Sequence, residues 1–298
     1  MAKFKKILVT GFDKSNLDEN VWARIRKLTN SVVFNPAKDV DCLFSRFNKV
    51  DKEVIDSFPN LKYIGLLATG TGTIDLSYAK RKKIVVCNIP GYATESVAEW
   101  VFALILEYLR DLERAKQIAR KEEFSGNGFS ATEILVNKFG IVGLGRIGRR
   151  VAQIAQAFGA NVVYWSRTKK DGFKYEKLDD LVKTSDFISL HALTTKDTEG
   201  ILDVSKVKPG AIVVNVSGME QVNIPALEKR LAKGDITFIL DHPDEMKPQD
   251  VKKLAKFPKC IIYPPIGYVS KEGRILKQEI FVANIENFLK GKPTNKVN

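Results

Sequence analysis

Short apolar runs alternate with helix-period segments along most of the chain. Residues 6–10, 32–34, 42–44, 61–66 and 84–87 read as strands, with helical patterns over 17–28, 52–58 and 76–81 between them. That alternation predicts a first α/β domain on a parallel sheet. Pro90 and Gly91 interrupt it. A long helix is then expected over 94–121, with Val97, Val101, Ile105, Leu109 and Leu112 on one face, widened by Phe102 and Leu106. A face this wide needs cover from another domain or another subunit. Residues 122–131 read as a loop. Beyond it, residues 139–142 form an apolar run fit for a buried parallel strand. Ile147, Val151, Ile154, Ala155 and Phe158 then recur at helical spacing, Gly159 stops that helix, and residues 162–165 make the next strand. Further strands are expected over 187–190, 211–216, 236–240 and 260–263, and a last helix over 273–289 follows the Pro264–Pro265 break. The second half therefore reads as a doubly wound domain with a nucleotide crevice at its strand ends.

The turn after the strand at 139–142 carries Gly143, Gly145 and Gly148 in the spacing G-x-G-x-x-G. Flanked by strand, helix and strand, this spacing lets backbone approach a pyrophosphate at a helix N-terminus. Arg146 and Ile147 lie inside the same loop. At the end of the second strand, dinucleotide enzymes that use NAD place a carboxylate for the ribose hydroxyls. This chain has Ser166, Arg167 and Thr168 there, followed by Lys169 and Lys170. Arg167 offers a fork of donors to a 2′-phosphate, so NADP(H) is expected over NAD(H). The other reading of this turn is a solvated basic loop.

Composition narrows the class. With 298 residues and 44% hydrophobic content the chain can bury the cores of two domains. The net charge of +13 raises nucleic-acid binding as a reading. The basic residues are scattered among carboxylates, however, with no arginine-rich arm, so a solvated basic surface is the expectation instead. Cys42, Cys87 and Cys260 show no metal-ligand spacing and point to a reducing, cytoplasmic setting. No metal is expected. No segment has the apolar length of a membrane span, the run 101–106 being closed off by Glu99 and Glu107.

Four stretches carry a family resemblance. They are L-K-Y-I-G-L-L-A-T-G-T-G-T-I-D-L at 61–76, N-I-P-G-Y-A-T-E-S-V-A-E-W-V-F-A-L at 88–104, the G-L-G-R-I-G loop, and S-L-H-A-L-T-T-K-D-T-E-G-I-L at 189–202. Over nearly the whole chain the sequence resembles the D-isomer-specific 2-hydroxyacid dehydrogenases, in particular their glyoxylate, hydroxypyruvate and glycerate branch. The resemblance implies an α/β fold of two domains with parallel sheets. A Rossmann-type dinucleotide-binding domain, residues 93–266, is inserted in a flavodoxin-like substrate domain, residues 1–92 plus 267–298, with the cofactor cleft between them. It implies substrate contacts from Ala68, Thr69 and Gly70. Cofactor contacts are implied from Val97, His191, Ala192, Leu193, Thr198, Val216, Ser217 and Asp241, beside those of the glycine loop and the basic turn. A homodimer around the long helix is implied as well.

The same resemblance exposes substitutions. The family uses an arginine in N-x-S-R-G to bind the substrate carboxylate, a histidine in P-H-I-G as acid and base, and a glutamate in D-V-x-x-x-E-P to orient it. Asn215, Val216 and Ser217 match, but Gly218 stands at the arginine position. Pro264, Ile266 and Gly267 match, but Pro265 stands at the histidine position. The glutamate position falls on Met246, or on Glu245 with a one-residue shift. His242 and Glu245 are the catalytic candidates that remain, and Tyr263, Tyr268 and Lys271 flank the substituted histidine. Two functions stay open: an NADP(H)-dependent oxidoreductase acting on a small carbonyl or hydroxy compound without the arginine clamp, or a catalytically silent dinucleotide-binding sensor, scaffold or partner.

Overall fold

A computed structural model describes residues 3–298. The chain forms two compact units, one of the described residues up to Tyr92 together with Ser270–Asn298, the other Ala93–Val269.

The first unit holds β1 (Ile7–Thr10), α1 (Glu19–Lys27), β2 (Val32–Val33), β3 (Cys42–Ser45), α2 (Lys52–Asp56), β4 (Tyr63–Leu66), α3 (Leu76–Arg81) and β5 (Val85–Cys87). Its strands are all parallel, in the order β2-β1-β3-β4-β5. That is the flavodoxin-like order. Every residue of β3 and β4 is buried, because helices cover both faces of a parallel sheet. The C-terminal helix Lys271–Leu289 starts at Ser270, whose hydroxyl accepts from the Gly273 N–H at 2.9 Å. It sets Phe281, Val282 and Ile285 into the core of this unit. Arg24 of α1 reaches Glu279 at 2.7 Å, and Asn284 donates to the Asn88 carbonyl at 2.8 Å.

The second unit holds α4 (Thr94–Arg110), α5 (Leu112–Ala119), β6 (Lys138–Val142), α6 (Arg146–Ala157), β7 (Asn161–Trp165), β8 (Lys174–Tyr175), α7 (Leu178–Thr184), β9 (Phe187–Leu190), β10 (Ile212–Asn215), α8 (Ile224–Lys233), β11 (Thr237–Leu240), α9 (Pro248–Leu254) and β12 (Cys260–Ile262). The sheet order is β12-β11-β10-β9-β6-β7-β8, again all parallel. The order reverses between β6 and β9, and the crevice at such a switch point is where doubly wound sheets bind ligands.

The expected long helix over 94–121 is two helices. Asp111 adopts a left-handed conformation (φ 45°, ψ 50°), and its N–H donates back to the carbonyls of Glu107 and Tyr108. Aspartate is among the few residues that enter this region cheaply. The break turns Leu112 out of the apolar face, leaving it 44% exposed. The rest of that face is covered within the unit. Ala98, Val101, Phe102, Leu104, Ile105 and Leu109 share one core cluster with Phe139, Ile141, Val151 and Ala155. The helix itself therefore needs no second subunit to cover it. Among the described residues no helix is long and apolar enough to cross a membrane, and no group of side chains could hold a metal ion.

Candidate functional site

The glycine turn is shaped by steric necessity. Gly143 has φ 100°, and a Cβ there would lie 2.5 Å from the Ala192 nitrogen. A Cβ on Gly148 would lie 2.1 Å from the Gly143 carbonyl oxygen, so α6 sits directly against the turn. Gly145 caps α6 and faces open space, with nothing within 4 Å of an added Cβ. Close backbone approach at the first and third glycines and free room at the second is what a pyrophosphate at a helix N-terminus requires.

A cavity of about 220 Å³ opens at the switch point. It brings together Gly143, Gly145, Ser166, Arg167, Thr168, His191, Ala192, Leu193 and Thr198, which the sequence had singled out. Leu144, Trp165 and Lys170 also line it. The Lys170 ammonium is tied to the Leu144 carbonyl at 2.8 Å. Ser166 is buried and donates to the Thr168 carbonyl at 2.6 Å, so its hydroxyl shapes the turn. Arg167 is half exposed and faces Asp197 at 3.8 Å, a partner the sequence did not reveal. The buried Thr198 hydroxyl donates to the Leu193 carbonyl at 2.6 Å and holds the opposite wall. Gln221, fully buried, donates to the Ala192 carbonyl at 2.6 Å and braces that wall from β10's side. Nothing in the sequence marked it.

His191 lies in this wall with Nε2 2.8 Å from the Ser189 hydroxyl. Burial lowers its pKa to about 3, so the ring is neutral at ordinary pH and cannot serve as a proton donor. Arg146 is exposed beside the turn, whereas Ile147 and Val216 pack against the core cluster and Val97 is half-buried near the start of α4. Ala68, Thr69 and Gly70 follow β4 in the other unit. There the Thr69 carbonyl accepts from Asn88 at 2.7 Å and the Thr69 hydroxyl donates to the Ile89 carbonyl at 3.1 Å.

Two adjacent strand ends carry the substituted positions. After β10, Ser217 donates to the Leu190 carbonyl at 3.1 Å, and Gly218 follows. A Cβ on Gly218 would lie 2.3 Å from the Glu220 Oε2 and 2.8 Å from the Thr194 hydroxyl. The space where an arginine would begin thus holds a carboxylate. After β11, Asp241 is 2% exposed. Its Oδ2 accepts from the Trp100 indole N–H at 3.0 Å, and Oδ1 is buried without a hydrogen-bond partner. Burial raises the Asp241 pKa to about 6 against the opposing pull of His242. Gly267 packs on this pair, its added Cβ falling 2.5 Å from Trp100 and 3.0 Å from Asp241.

His242 lies 3.6 Å from Asp241 and 3.8 Å and 4.0 Å from Asp244 and Glu245, beyond hydrogen-bond distance of each. Met246 packs against the core, so of the two residues at the glutamate position only Glu245 faces the histidine. Tyr263 donates its hydroxyl to Glu107, and burial beside that carboxylate raises its pKa, which removes it as a proton source. Pro265 has nothing to titrate.

A profile of the D-isomer specific 2-hydroxyacid dehydrogenase NAD binding domain matches residues 102–267. The hydroxypyruvate reductase of Blautia hydrogenotrophica is 33% identical over 87% of this chain and 85% of its own length. The glyoxylate reductase of Thermococcus litoralis is 33% identical over 93% of this chain and 89% of its own. Among solved structures, an acyclic imino acid reductase in complex with NADPH and D-arginine aligns with a TM-score of 0.85 at 28% identity, covering 98% of this chain and 100% of that one.

Proposed function

The chain belongs to the D-isomer specific 2-hydroxyacid dehydrogenase family, and from that membership we propose that it is an NADP(H)-preferring oxidoreductase whose substrate is not held by the family's arginine and histidine. The observation that carries the reading is the strand-end cavity with its basic turn, set beside the carboxylate over Gly218. The glycine turn and the α6 N-terminus would hold the pyrophosphate, Arg167 the 2′-phosphate, and the wall from His191 to Thr198 the adenosine side. The bound nicotinamide supplies a hydride. Asp241, buried under Trp100 and Gly267, and His242 beside it are the titratable groups placed to tune the reacting end. The imino acid reductase named above supports chemistry at C=N bonds as well as C=O bonds on this fold. The second reading, a silent dinucleotide-binding member, is supported by Gly218 and Pro265 together. Turnover of NADPH with any carbonyl or imine compound excludes it.

The cofactor reading is tested by calorimetry. NADPH should bind at least about tenfold tighter than NADH, because charge-assisted bonds to the 2′-phosphate contribute roughly 1.5–3 kcal/mol each. Arg167→Ala should remove most of that gap. Asp197→Asn should tighten NADPH only about two- to fivefold, since an exposed ion pair contributes roughly 0.2–1 kcal/mol. Equal affinities for the two cofactors in the unmodified protein would refute the preference.

A homodimer is proposed on different grounds from those the helix pattern suggested. Phe124, Leu135 and Val136 are 82%, 52% and 72% exposed between α5 and β6. Apolar side chains this exposed and this close in sequence mark an association surface. Sedimentation should give a dimer at micromolar concentration, and Phe124→Asp should weaken it; a stable monomer would remove the proposal. The unpaired, buried thiols of Cys42, Cys87 and Cys260 support a reducing, cytoplasmic location.

A further inference from the structure

The charge at the clamp position is reversed, and the acid of the family site is gone. The Glu220 carboxylate lies 2.3 Å from where a Gly218 side chain would start, with the Thr194 hydroxyl beside it. It makes no ion pair among the described residues. At the end of the neighbouring strand, paired through Asn215 and Leu240, Asp241 is buried with Oδ1 unpartnered. A 2-oxo acid brought here would set its carboxylate against carboxylates, and its carbonyl oxygen would find no proton at Pro265.

Both losses have one explanation. We infer that the substrate is a cationic imine, held through its positive charge by Glu220 where a guanidinium would hold an anion. The inference rests on the oxidoreductase reading above and names the substrate class of that site. Reduction of a carbonyl needs a hydride on carbon and a proton on oxygen. An iminium already carries its proton. Its carbon gains a hydride from the reduced nicotinamide dinucleotide, the C=N π pair passes to nitrogen, and a neutral amine leaves with the dinucleotide oxidised. No protein acid takes part, so proline at position 265 costs nothing. A carboxylate that would repel a 2-oxo acid stabilises an iminium by the same Coulomb term with opposite sign.

The test uses the purified full chain and two readouts. In calorimetry on the NADP⁺ complex, pyrrolidine, a cation, should bind at least about tenfold tighter than oxamate, an anion, the size of one charge-assisted contact. With NADPH, pyrroline, a cyclic imine that carries a proton near neutral pH, should be reduced faster than glyoxylate. Glu220→Gln should raise KM for pyrroline about tenfold with kcat little changed, the signature of lost ground-state binding. Glu220→Asp should recover part of it. Oxamate binding as tightly as pyrrolidine, or a Glu220→Gln variant with unchanged KM, overturns the inference. Tight NADPH binding without turnover of pyrroline overturns it while leaving dinucleotide binding intact. Failure to bind NADPH overturns this inference and the oxidoreductase reading together.

Discussion

With glyoxylate or hydroxypyruvate and NADPH, the unmodified protein should show only trace turnover, far below the roughly 10 per second of a typical enzyme. The deficit has two sources. A positioned acid or base contributes about 10²–10⁴ in rate, and Pro265 supplies none. A charge-assisted bond to the substrate carboxylate contributes roughly 1.5–3 kcal/mol, and Gly218 supplies none. Saturation should therefore fail at millimolar substrate, and the pH profile should lack an imidazole limb. Gly218→Arg alone should recover little, because the new side chain enters space held by the Glu220 carboxylate and would pair with it. Gly218→Arg with Glu220→Ala and Pro265→His is the combination that restores both groups, and their effects should be far from additive. Steady-state rates decide the matter. An ordinary rate with either acid in the unmodified protein would mean that other side chains do this chemistry, with His242 the first to mutate.

The largest stability effect should come from Asp241→Asn. Burial lifts the Asp241 pKa from 3.8 to about 6. The folded state then holds the proton more tightly than the unfolded chain, so this group stabilises below about pH 4 and its contribution is lost as pH rises to about 6. Above that, the ionised carboxylate costs on the order of 2–3 kcal/mol, from 1.36 kcal/mol per unit. Asparagine keeps an oxygen for the Trp100 indole and carries no charge. In urea unfolding the variant should match the unmodified protein near pH 4 and exceed it by that amount at pH 7. His191 acts in the opposite direction. Its pKa falls from 6.5 to about 3, so stability is lost as pH drops below 6.5, where only the unfolded chain takes up the proton. The two slopes oppose one another between about pH 4 and pH 6, and Asp241→Asn should expose the His191 loss in that window. A stability difference between variant and parent that does not change with pH would refute the assignment.

Local pattern determined the elements and the chemistry of the cofactor turn. The run Phe187–Leu190 is apolar at three of four positions and buried throughout, because a central parallel strand is covered on both faces. Gly143, Gly145 and Gly148 were legible since close approach leaves no alternative to glycine, and the family was legible from four stretches spread along the chain. Gly218 and Pro265 were likewise visible as substitutions within matched frames. The filling of the vacated space was not. Glu220 over Gly218, Asp197 facing Arg167, Gln221 under Ala192 and Trp100 on Asp241 join residues on separate loops and elements, the last pair 141 positions apart. The break at Asp111 escaped because period and propensity both permit a helix through it, and only packing against α6 and the sheet selects where the apolar face must end. Periodicity encodes which face of an element is buried. Which charge meets which, and therefore what kind of substrate the strand ends can accept, is set when separate elements are brought to one edge of the sheet.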